Sequence, residues 1–460
     1  MLFNSLSFLF VFFPAFLAIY YLLRSNKQRN ILILVFSLFF YSWEEPRNII
    51  IMIIVILLSF ASAILIDSRR KQGKIFLILY LMITIGIFVN FKYTDFIIEN
   101  INQVFKANIP LRNIGLPIGI SFYSFQCISY VIDVYWQKLK ADHDLLDFAC
   151  YVSLFPQLIA GPIVRYQSVS EQLKQRKVNA RDFEEGMIRF IIGLGKKVII
   201  ANNVAVIADT IFDHVNGSLP LTVAWIGAIA YSLQIYYDFS AYSDMAIAIG
   251  RMLGFYFPEN FNRPYVSKSI TEFWRRWHIS LGSWFRDYVY IPLGGNRVSK
   301  VRWILNIMIV WSLTGLWHGA SWNFVIWGIF YGLILITERL FTGKLLEKHP
   351  FIAHVYSLLL IMLGWIIFRS NDLESLMVYV RSLFNLRSIG GISALFSYNI
   401  PQYLAFVLLG LLGCTPLLAK LKKAFEKYDC LFDIGLTVIL IVCLILIISD
   451  SYSPFIYFRF

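Results

Sequence analysis

Charged side chains are scarce in this sequence, and their scarcity excludes an ordinary soluble protein. Asp, Glu, Lys and Arg together make up 15% of the 460 residues, whereas they form roughly a quarter of an average soluble domain. Hydrophobic residues make up 58%, and the mean hydropathy is +0.66. The composition therefore predicts an all-α polytopic membrane protein.

Acidic residues are the scarcer charged kind, with 28 against 41 basic ones, and the formal net charge is +13. A strongly basic balance is also found in nucleic-acid-binding proteins. Here, however, the basic residues gather in short loops between apolar segments, at 24–29, 69–74 and 420–427. Because this distribution is typical of the cytoplasmic loops of membrane proteins, we predict no nucleic-acid partner.

Several chemical motifs are also missing. The five cysteines are scattered without a C-x-x-C pair, which argues against a disulfide framework and predicts no metal site. There is no G-x-S-x-G elbow, and the GLGKK run at 193–197 lacks the third glycine and the preceding strand of a dinucleotide fingerprint. We find no tandem repeat and no soluble domain, so we predict one transmembrane domain over residues 1–460. Its expected parts are N-terminal helices (1–110), a catalytic core with re-entrant segments (111–345) and C-terminal helices (346–460).

What the sequence has in abundance is apolar segments near the length of about 20 residues that a spanning helix needs. The first has no clear signal-peptide cleavage site and is predicted to be a permanent span. About 11–13 transmembrane helices are expected. The candidate spans are 6–23, 29–43, 48–66, 75–92, 114–135, 186–211, 221–237, 303–318, 322–340, 351–368, 402–418 and 431–449.

Loop charge gives the expected orientation. The loops after the first and third segments are basic, whereas the turn at 44–46 holds two glutamates and a proline. The positive-inside rule then places the cytoplasm beyond the first and third segments. We therefore predict that the N-terminus faces outward.

Two segments interrupt this alternation. Residues 146–166 are apolar but contain Pro156, Gly161 and Pro162, with basic residues on both sides. Residues 255–300 are too polar to face lipid and too aromatic for a soluble loop. Because non-helical backbone at membrane depth must be covered by protein or line a wet cavity, both segments are predicted to be re-entrant and to border a cavity.

A polar run, QIYYDFSAYSD at 234–244, continues from one apolar span. On a helix, Gln234 lies above Asp238 and Ser240 above Asp244, which gives polar faces that lipid would penalise. These groups either line a cavity or hold neighbouring helices together by hydrogen bonds. The candidate pocket or tunnel residues are Asp238, Ser240, Tyr242 and Asp244, together with Asn323.

Residues 271–323 contain two of the six histidines among aromatic residues and arginines. Arg275 and Arg276 are candidates to bind the phosphates of an acyl-carrier cofactor, because a guanidinium binds phosphate in a bidentate fork. Their flanking Trp277, and Trp317 further along, are expected at the same site. The alternative is that the two arginines are interfacial anchors with their charges among the lipid headgroups.

His318 ends an apolar span, between a tryptophan and a glycine. A lone histidine on an apolar helix is more often a satisfied core group than a catalyst. An imidazole that titrates near neutrality is also the group best suited to take a proton from a hydroxyl. His318 is therefore the leading candidate for catalysis, whereas His143, His214, His349 and His354 are read as structural or solvated.

The order of these motifs resembles the membrane-bound O-acyltransferase superfamily, and within it the alginate and peptidoglycan O-acetyltransferase branch. The resemblance covers nearly the whole chain, and Ala241 stands where relatives often have glycine. The runs that carry it are SLSFLF (5–10), LPIGISF (116–122), FPQLIAGPI (155–163), YDFSAYSDM (237–245), FWRRWHISL (273–281), YIPLGG (290–295), LWHGA (316–320) and FIYFRF (455–460).

This resemblance implies that His318 is the catalytic histidine and that His278 is a second required polar residue. It implies helices around a central tunnel or funnel, in the cytoplasmic (inner) membrane of a bacterium among membrane lipids. Acetyl-CoA is the implied acyl donor, the acceptor is a cell-envelope glycan, and the partner is a protein of the SGNH-hydrolase type, either periplasmic or membrane-anchored.

Three functions remain open at this point. The first is O-acetylation of peptidoglycan, alginate or another exopolysaccharide, with a slight preference for peptidoglycan because the chain is short for an alginate enzyme. The second is D-alanyl transfer to teichoic acids from a carrier protein. The third is transport of a lipid-linked glycan, which the missing inverted repeat disfavours.

Overall fold

The computed structural model describes residues 1–213, 217, 219–390, 392–417 and 429–449. Three features of the sequence fall outside these ranges: His214, the basic loop 420–427, and the terminal run 455–460. Every regular element in the described part is helical. This confirms the predicted all-α fold class.

Six described helices are long and apolar enough to cross a membrane. Two shorter apolar helices, Phe8–Leu22 and Pro401–Cys414, accompany them. The multi-pass character is therefore confirmed, whereas the count of 11–13 spans and the central tunnel stay predictions. The six are Ile49–Ser68, Arg70–Lys92, Ala180–Asp213, Trp322–Lys348, Pro350–Arg369 and Cys430–Ser449.

The described residues form two compact units. The first comprises Met1–Phe190 and Ser243–Pro258. Its core includes the buried ring of Phe155, which contacts the rings of four phenylalanines near the N-terminus, Phe3, Phe8, Phe12 and Phe16, and the ring of Phe40. The helices of this unit are Phe13–Leu22, Asn26–Glu44, Ile49–Ser68, Gly73–Lys92, Thr94–Phe105, Ile120–Tyr135, Leu145–Ser153, Phe155–Leu158, Tyr166–Lys174 and the first part of Ala180–Gly195.

The segment predicted to re-enter at 146–166 is broken in the structure. It consists of the two short helices Leu145–Ser153 and Phe155–Leu158, which are followed by non-helical backbone. Leu154 has an extended ψ of 106°, and Pro156 directly follows the first residue of the second helix, where proline is tolerated. A straight spanning helix is therefore excluded, in agreement with the sequence pattern.

The second unit comprises Ile191–Tyr242 and Glu259–Phe460. Its helices Lys300–His318 and Trp322–Thr337 approach each other closely because glycines lie at their interface. A Cβ atom added at Gly315 would clash with the main-chain carbonyl of Phe324. Small residues commonly permit such close backbone approach in membrane helices. The remaining helices are Asn202–Asp213, Ile270–Arg276, Ile279–Phe285, Gly343–Lys348, Pro350–Arg369, Leu373–Ser382, Ile392–Ser397, Leu404–Cys414 and Asp429–Ser449.

One helix extends well beyond its predicted membrane span. The span expected at 221–237 belongs to a helix of 32 residues, Leu221–Met252. This helix includes the polar run 234–244, whose polar faces were predicted on helical geometry. The helix continues because at least two of those residues have ionic partners, Lys197 for Asp238 and Arg189 for Asp244.

Candidate active site

Two short helices, Ile270–Arg276 and Ile279–Phe285, position His278 between them. His278 has a left-handed backbone conformation, with φ 43° and ψ 52°. Such a conformation is uncommon for a residue other than glycine and persists only where the surrounding structure enforces it. The sharp turn between the helices therefore depends on neighbouring contacts.

One of those contacts is a carboxylate at the start of the first short helix. Glu338 is buried, and it accepts hydrogen bonds from the backbone nitrogens of Ile270 and Thr271 at 2.6 and 2.8 Å. A negative charge is stabilised by the free N–H groups at a helix N-terminus. Glu338 thereby fixes where the His278 segment begins.

The imidazole of His278 is buried among aromatic and amide groups. Its Nδ1 lies 3.2 Å from Oδ1 of Asn260. Its ring meets Phe239 edge-on at a centroid distance of 4.7 Å and Trp317 at 5.9 Å. His278 lies outside the six spanning helices, and burial lowers its pKa to about 3. The ring is therefore neutral at physiological pH.

His318 lies in an aromatic cage at the end of the helix Lys300–His318. Its ring centroid is 4.9 Å from that of Trp317, 5.0 Å from Trp327 and 5.2 Å from Phe368. Trp317 thus contacts the imidazoles of both His278 and His318. The two histidines share one indole.

Asn323 connects the two sides of this cage. It is the second residue of the helix Trp322–Thr337, and its Nδ2 donates to the carbonyls of Phe368 and Ser370 at 3.4 and 2.9 Å. Because the ring of Phe368 also contacts the His318 ring, the hydrogen bond from Asn323 holds Phe368 beside His318. Asn323 is therefore placed to support His318.

A cavity of about 530 Å³ opens beside His278, which is within the range of small-molecule sites. Its walls are mainly apolar and aromatic, with the guanidinium groups of Arg275 and Arg286 among them. His318 does not belong to this lining. The lining residues are Thr271, Trp274, Arg275, His278, Ile279, Leu281, Gly282, Ser283, Phe285, Arg286, Tyr290, Ile307, Val310, Trp311, Thr314 and Leu335.

The indole of Trp274 links this cavity to the cage around His318. Trp274 lines the cavity and contacts Trp327 at a centroid distance of 5.4 Å. Trp327 in turn contacts His318. The cavity and His318 are thus separated by indole rings.

The two arginines predicted to bind phosphate differ in their surroundings. Arg275 is exposed, lines the cavity and has no ion-pair partner among the residues that the structure describes. Arg276 pairs with Glu272 at 2.8 Å, donates to the carbonyl of Asn262, and is not a lining residue. Of these two arginines, only Arg275 therefore lines the cavity, and the neighbouring Trp277 is buried.

The predicted pocket residues of the polar run lie elsewhere. Asp238 is buried and forms an ion pair with the buried Lys197 at 2.5 Å, whereas Asp244 pairs with Arg189 at 2.6 Å. Ser240 and Tyr242 are also buried. The helix reaches the candidate site through Phe239, whose ring packs on His278.

Two contributors to the site, Asn260 and Glu338, were not singled out from the sequence, and two more, Arg286 and Trp274, were identified only as members of a cluster. Arg286 and Trp274 lie in the stretch 271–323, and the density of arginine and aromatic residues there is the signal that identifies them. Asn260 and Glu338 act through contacts with residues 18 to 68 positions away, and no local pattern reveals them.

The fold and this site define a multi-pass membrane enzyme with a buried histidine beside a basic and aromatic cavity. Residues 75–369 match the MBOAT family, the membrane-bound O-acyltransferases. The chain belongs to that family and is an acyltransferase, as the order of motifs indicated.

Relatives in this family differ in the activity that their names carry. The chain is 42% identical to the probable alginate O-acetylase AlgI of Pseudomonas aeruginosa, over 81% of this chain and 73% of the relative. It is 34% identical to a peptidoglycan O-acetyltransferase of Helicobacter pylori, over 85% of this chain and 81% of the relative. It is 29% identical to a teichoic acid D-alanyltransferase of Bacillus subtilis, over 50% of this chain and 61% of the relative.

Proposed function

We propose that this protein is a membrane O-acetyltransferase subunit, which takes acetyl groups from cytoplasmic acetyl-CoA and passes them across the membrane for O-acetylation of a cell-envelope glycan. The observation that carries the proposal is the cavity beside His278, which joins two exposed guanidinium groups to an aromatic interior. A donor with a phosphorylated head and a neutral thioester arm matches a cavity that combines positive charges with an aromatic interior.

The charges of the cavity suit the phosphates of the donor. Arg275 and Arg286 both line it, and charge-assisted bonds from guanidinium to phosphate are strong and frequently bidentate. Arg286 keeps a partner in Asp287, at 2.7 Å. Arg275 is therefore the principal phosphate ligand in this proposal, and Arg286 assists it.

His318 is the proposed general base. It takes the proton of an acceptor hydroxyl while that oxygen attacks the thioester carbonyl. The C–O bond forms, the C–S bond breaks, and the CoA thiolate leaves with a proton returned from the imidazole. Acid–base assistance of this kind contributes about 10²- to 10⁴-fold in rate.

The acceptor side of the proposal rests on the relatives and on the family pattern. Identity is higher to the alginate O-acetylase, 42%, than to the peptidoglycan O-acetyltransferase, 34%. This favours an exopolysaccharide of the alginate kind over peptidoglycan, against the slight preference that chain length suggested. An SGNH-hydrolase-type partner would carry the acetyl group to the glycan outside the cell.

D-alanyl transfer to teichoic acid is the second candidate function. It is favoured by the similarity over half of this chain to a teichoic acid D-alanyltransferase. In that case the acyl group would arrive on a carrier protein, and the cavity would receive only the carrier's thioester arm. Binding of free acetyl-CoA separates the two.

Equilibrium binding of labelled acetyl-CoA to the purified protein tests the proposal. We expect saturable binding that Arg275→Ala and Arg286→Ala each weaken by about tenfold or more, since hydrogen bonds to charged groups contribute about 1.5–3 kcal/mol. Arg276→Ala is the matched control, because Arg276 is occupied by Glu272. It should change the dissociation constant much less.

Two outcomes would count against the acetyl-CoA proposal. No binding by the folded wild-type protein would favour a carrier-borne donor. Equal weakening by all three arginine variants would show a general effect of surface charge instead of a site in the cavity.

A further inference from the structure

The side chain of Asn260 holds the centre of the His278 turn. It is buried, and its Oδ1 accepts hydrogen bonds from the backbone nitrogen of Ser280 at 3.2 Å and from the Ser280 hydroxyl at 2.9 Å. Its main-chain oxygen also accepts from the backbone nitrogen of Ile279, at 3.0 Å. Asn260 is thereby fixed to the helix that follows His278.

These bonds determine which end of the amide faces the imidazole. A backbone N–H can only donate, so the Asn260 atom that meets Ser280 must be the oxygen. The same oxygen lies 3.2 Å from Nδ1 of His278. Since an amide oxygen only accepts, Nδ1 carries the proton, and in the neutral ring Nε2 keeps its lone pair.

We infer that Asn260 is a positioning residue, which fixes the orientation and the Nδ1–H tautomer of His278 so that Nε2 serves as an acceptor. The inference rests on the proposed function for its catalytic meaning. It also separates two roles for His278. A neutral ring with its proton on Nδ1 cannot donate from Nε2 to a developing oxyanion, but it can accept a hydrogen bond or a proton from a group of the substrate.

Groups from three other elements face His278. They are the ring of Phe239 on the helix Leu221–Met252, the indole of Trp317 on the helix Lys300–His318, and the Asn260 amide. Arg275 and Arg286 line the same cavity. These neighbours bring neutral rings, an amide and positive charges toward the imidazole.

Asn260→Asp tests the assignment through the pH dependence of acetyl transfer. The aspartate still accepts from Ser280 and from Nδ1, but its charge favours the imidazolium and raises the pKa of His278. A lone pair on Nε2 is then lost as the pH falls through the raised pKa. We expect kcat/KM of this variant to fall toward acid pH between about pH 8 and about pH 5, beyond any decline in the wild type.

Two further variants separate positioning from folding. Asn260→Leu removes the acceptor, and kcat should fall at least about tenfold, with activity restored in part by the aspartate. Asn306→Asp changes another fully buried asparagine, which donates to the carbonyls of Leu293 and Gly295. It should reduce the yield of folded protein and leave the shape of the pH profile unchanged.

Solid-state NMR of protein labelled with ¹⁵N-histidine reads the tautomer directly, with the His278 signal identified by its loss in His278→Gln. The expected signal is protonated at Nδ1 and unprotonated at Nε2, and it should change in Asn260→Leu. The opposite tautomer in the wild type would overturn the inference, as would a wild-type pH profile in Asn260→Asp. An inactive wild-type protein would refute the acetyl-CoA proposal, while the NMR result would still decide the role of Asn260.

Discussion

Replacing His318 with alanine is expected to reduce acetyl transfer by about 10²- to 10⁴-fold, because the substitution removes the proposed general base. The His318 ring is enclosed by Trp317, Trp327 and Phe368, and alanine leaves these walls in place. The protein should therefore still be produced and folded. The measurement is the rate of product formation from labelled acetyl-CoA at matched amounts of monodisperse protein.

His143→Ala is the control for this experiment, since His143 is exposed. That variant should retain wild-type activity. A His318→Ala protein with normal O-acetylation would contradict the assignment of His318. Loss of activity together with loss of folded protein would instead show that the imidazole supports the cage, which would also remove the argument for catalysis.

Replacing Lys197 with methionine is expected to destabilise the protein by about 3–5 kcal/mol, the usual result of removing one partner of a buried ion pair. Lys197 and Asp238 are 3% and 1% exposed and lie 2.5 Å apart. Acetyl transfer should fall as well, because Phe239 follows Asp238 and packs on His278. Thermal unfolding in detergent measures the first effect.

The double variant Lys197→Met with Asp238→Leu provides the internal control. Replacing both charges by apolar groups should recover most of the lost stability, since a buried ion pair is often no better than an apolar pair of similar volume. Arg181→Ala breaks an exposed pair with Glu185 and should cost no more than about 1 kcal/mol. A Lys197→Met protein as stable as the wild type would show that the buried pair has no structural role.

The sequence predicts the membrane class and the broken segments well, because both depend on local composition. Apolar runs mark the spans, and Pro156 marks the break in the segment 146–166. The length of the helix Leu221–Met252 was not predictable in this way. Its polar part is paired with Lys197 and Arg189, and the positions of these residues opposite Asp238 and Asp244 are set by the tertiary fold.

In the candidate site, too, local composition reveals some residues, whereas the contacts between them depend on the tertiary fold. His278, His318 and Arg275 could be identified because histidine and arginine beside tryptophan are rare in an apolar chain. The sequence does not reveal that Arg276 pairs with Glu272 or that Trp317 contacts both imidazoles. It also does not reveal that Asn260 fixes the tautomer of His278. Each of these is a contact between side chains and depends on the folded backbone.

Acetyl transfer across a sealed membrane tests the central claim most directly. The protein is reconstituted in vesicles together with its SGNH-type partner, the membrane orientation is established by protease accessibility, and labelled acetyl-CoA is supplied on one side only. The account predicts labelled glycan on the opposite side when the donor is given on the cytoplasmic side, and none with His318→Ala. Labelling that is equal from either side, or that persists without His318, would contradict it.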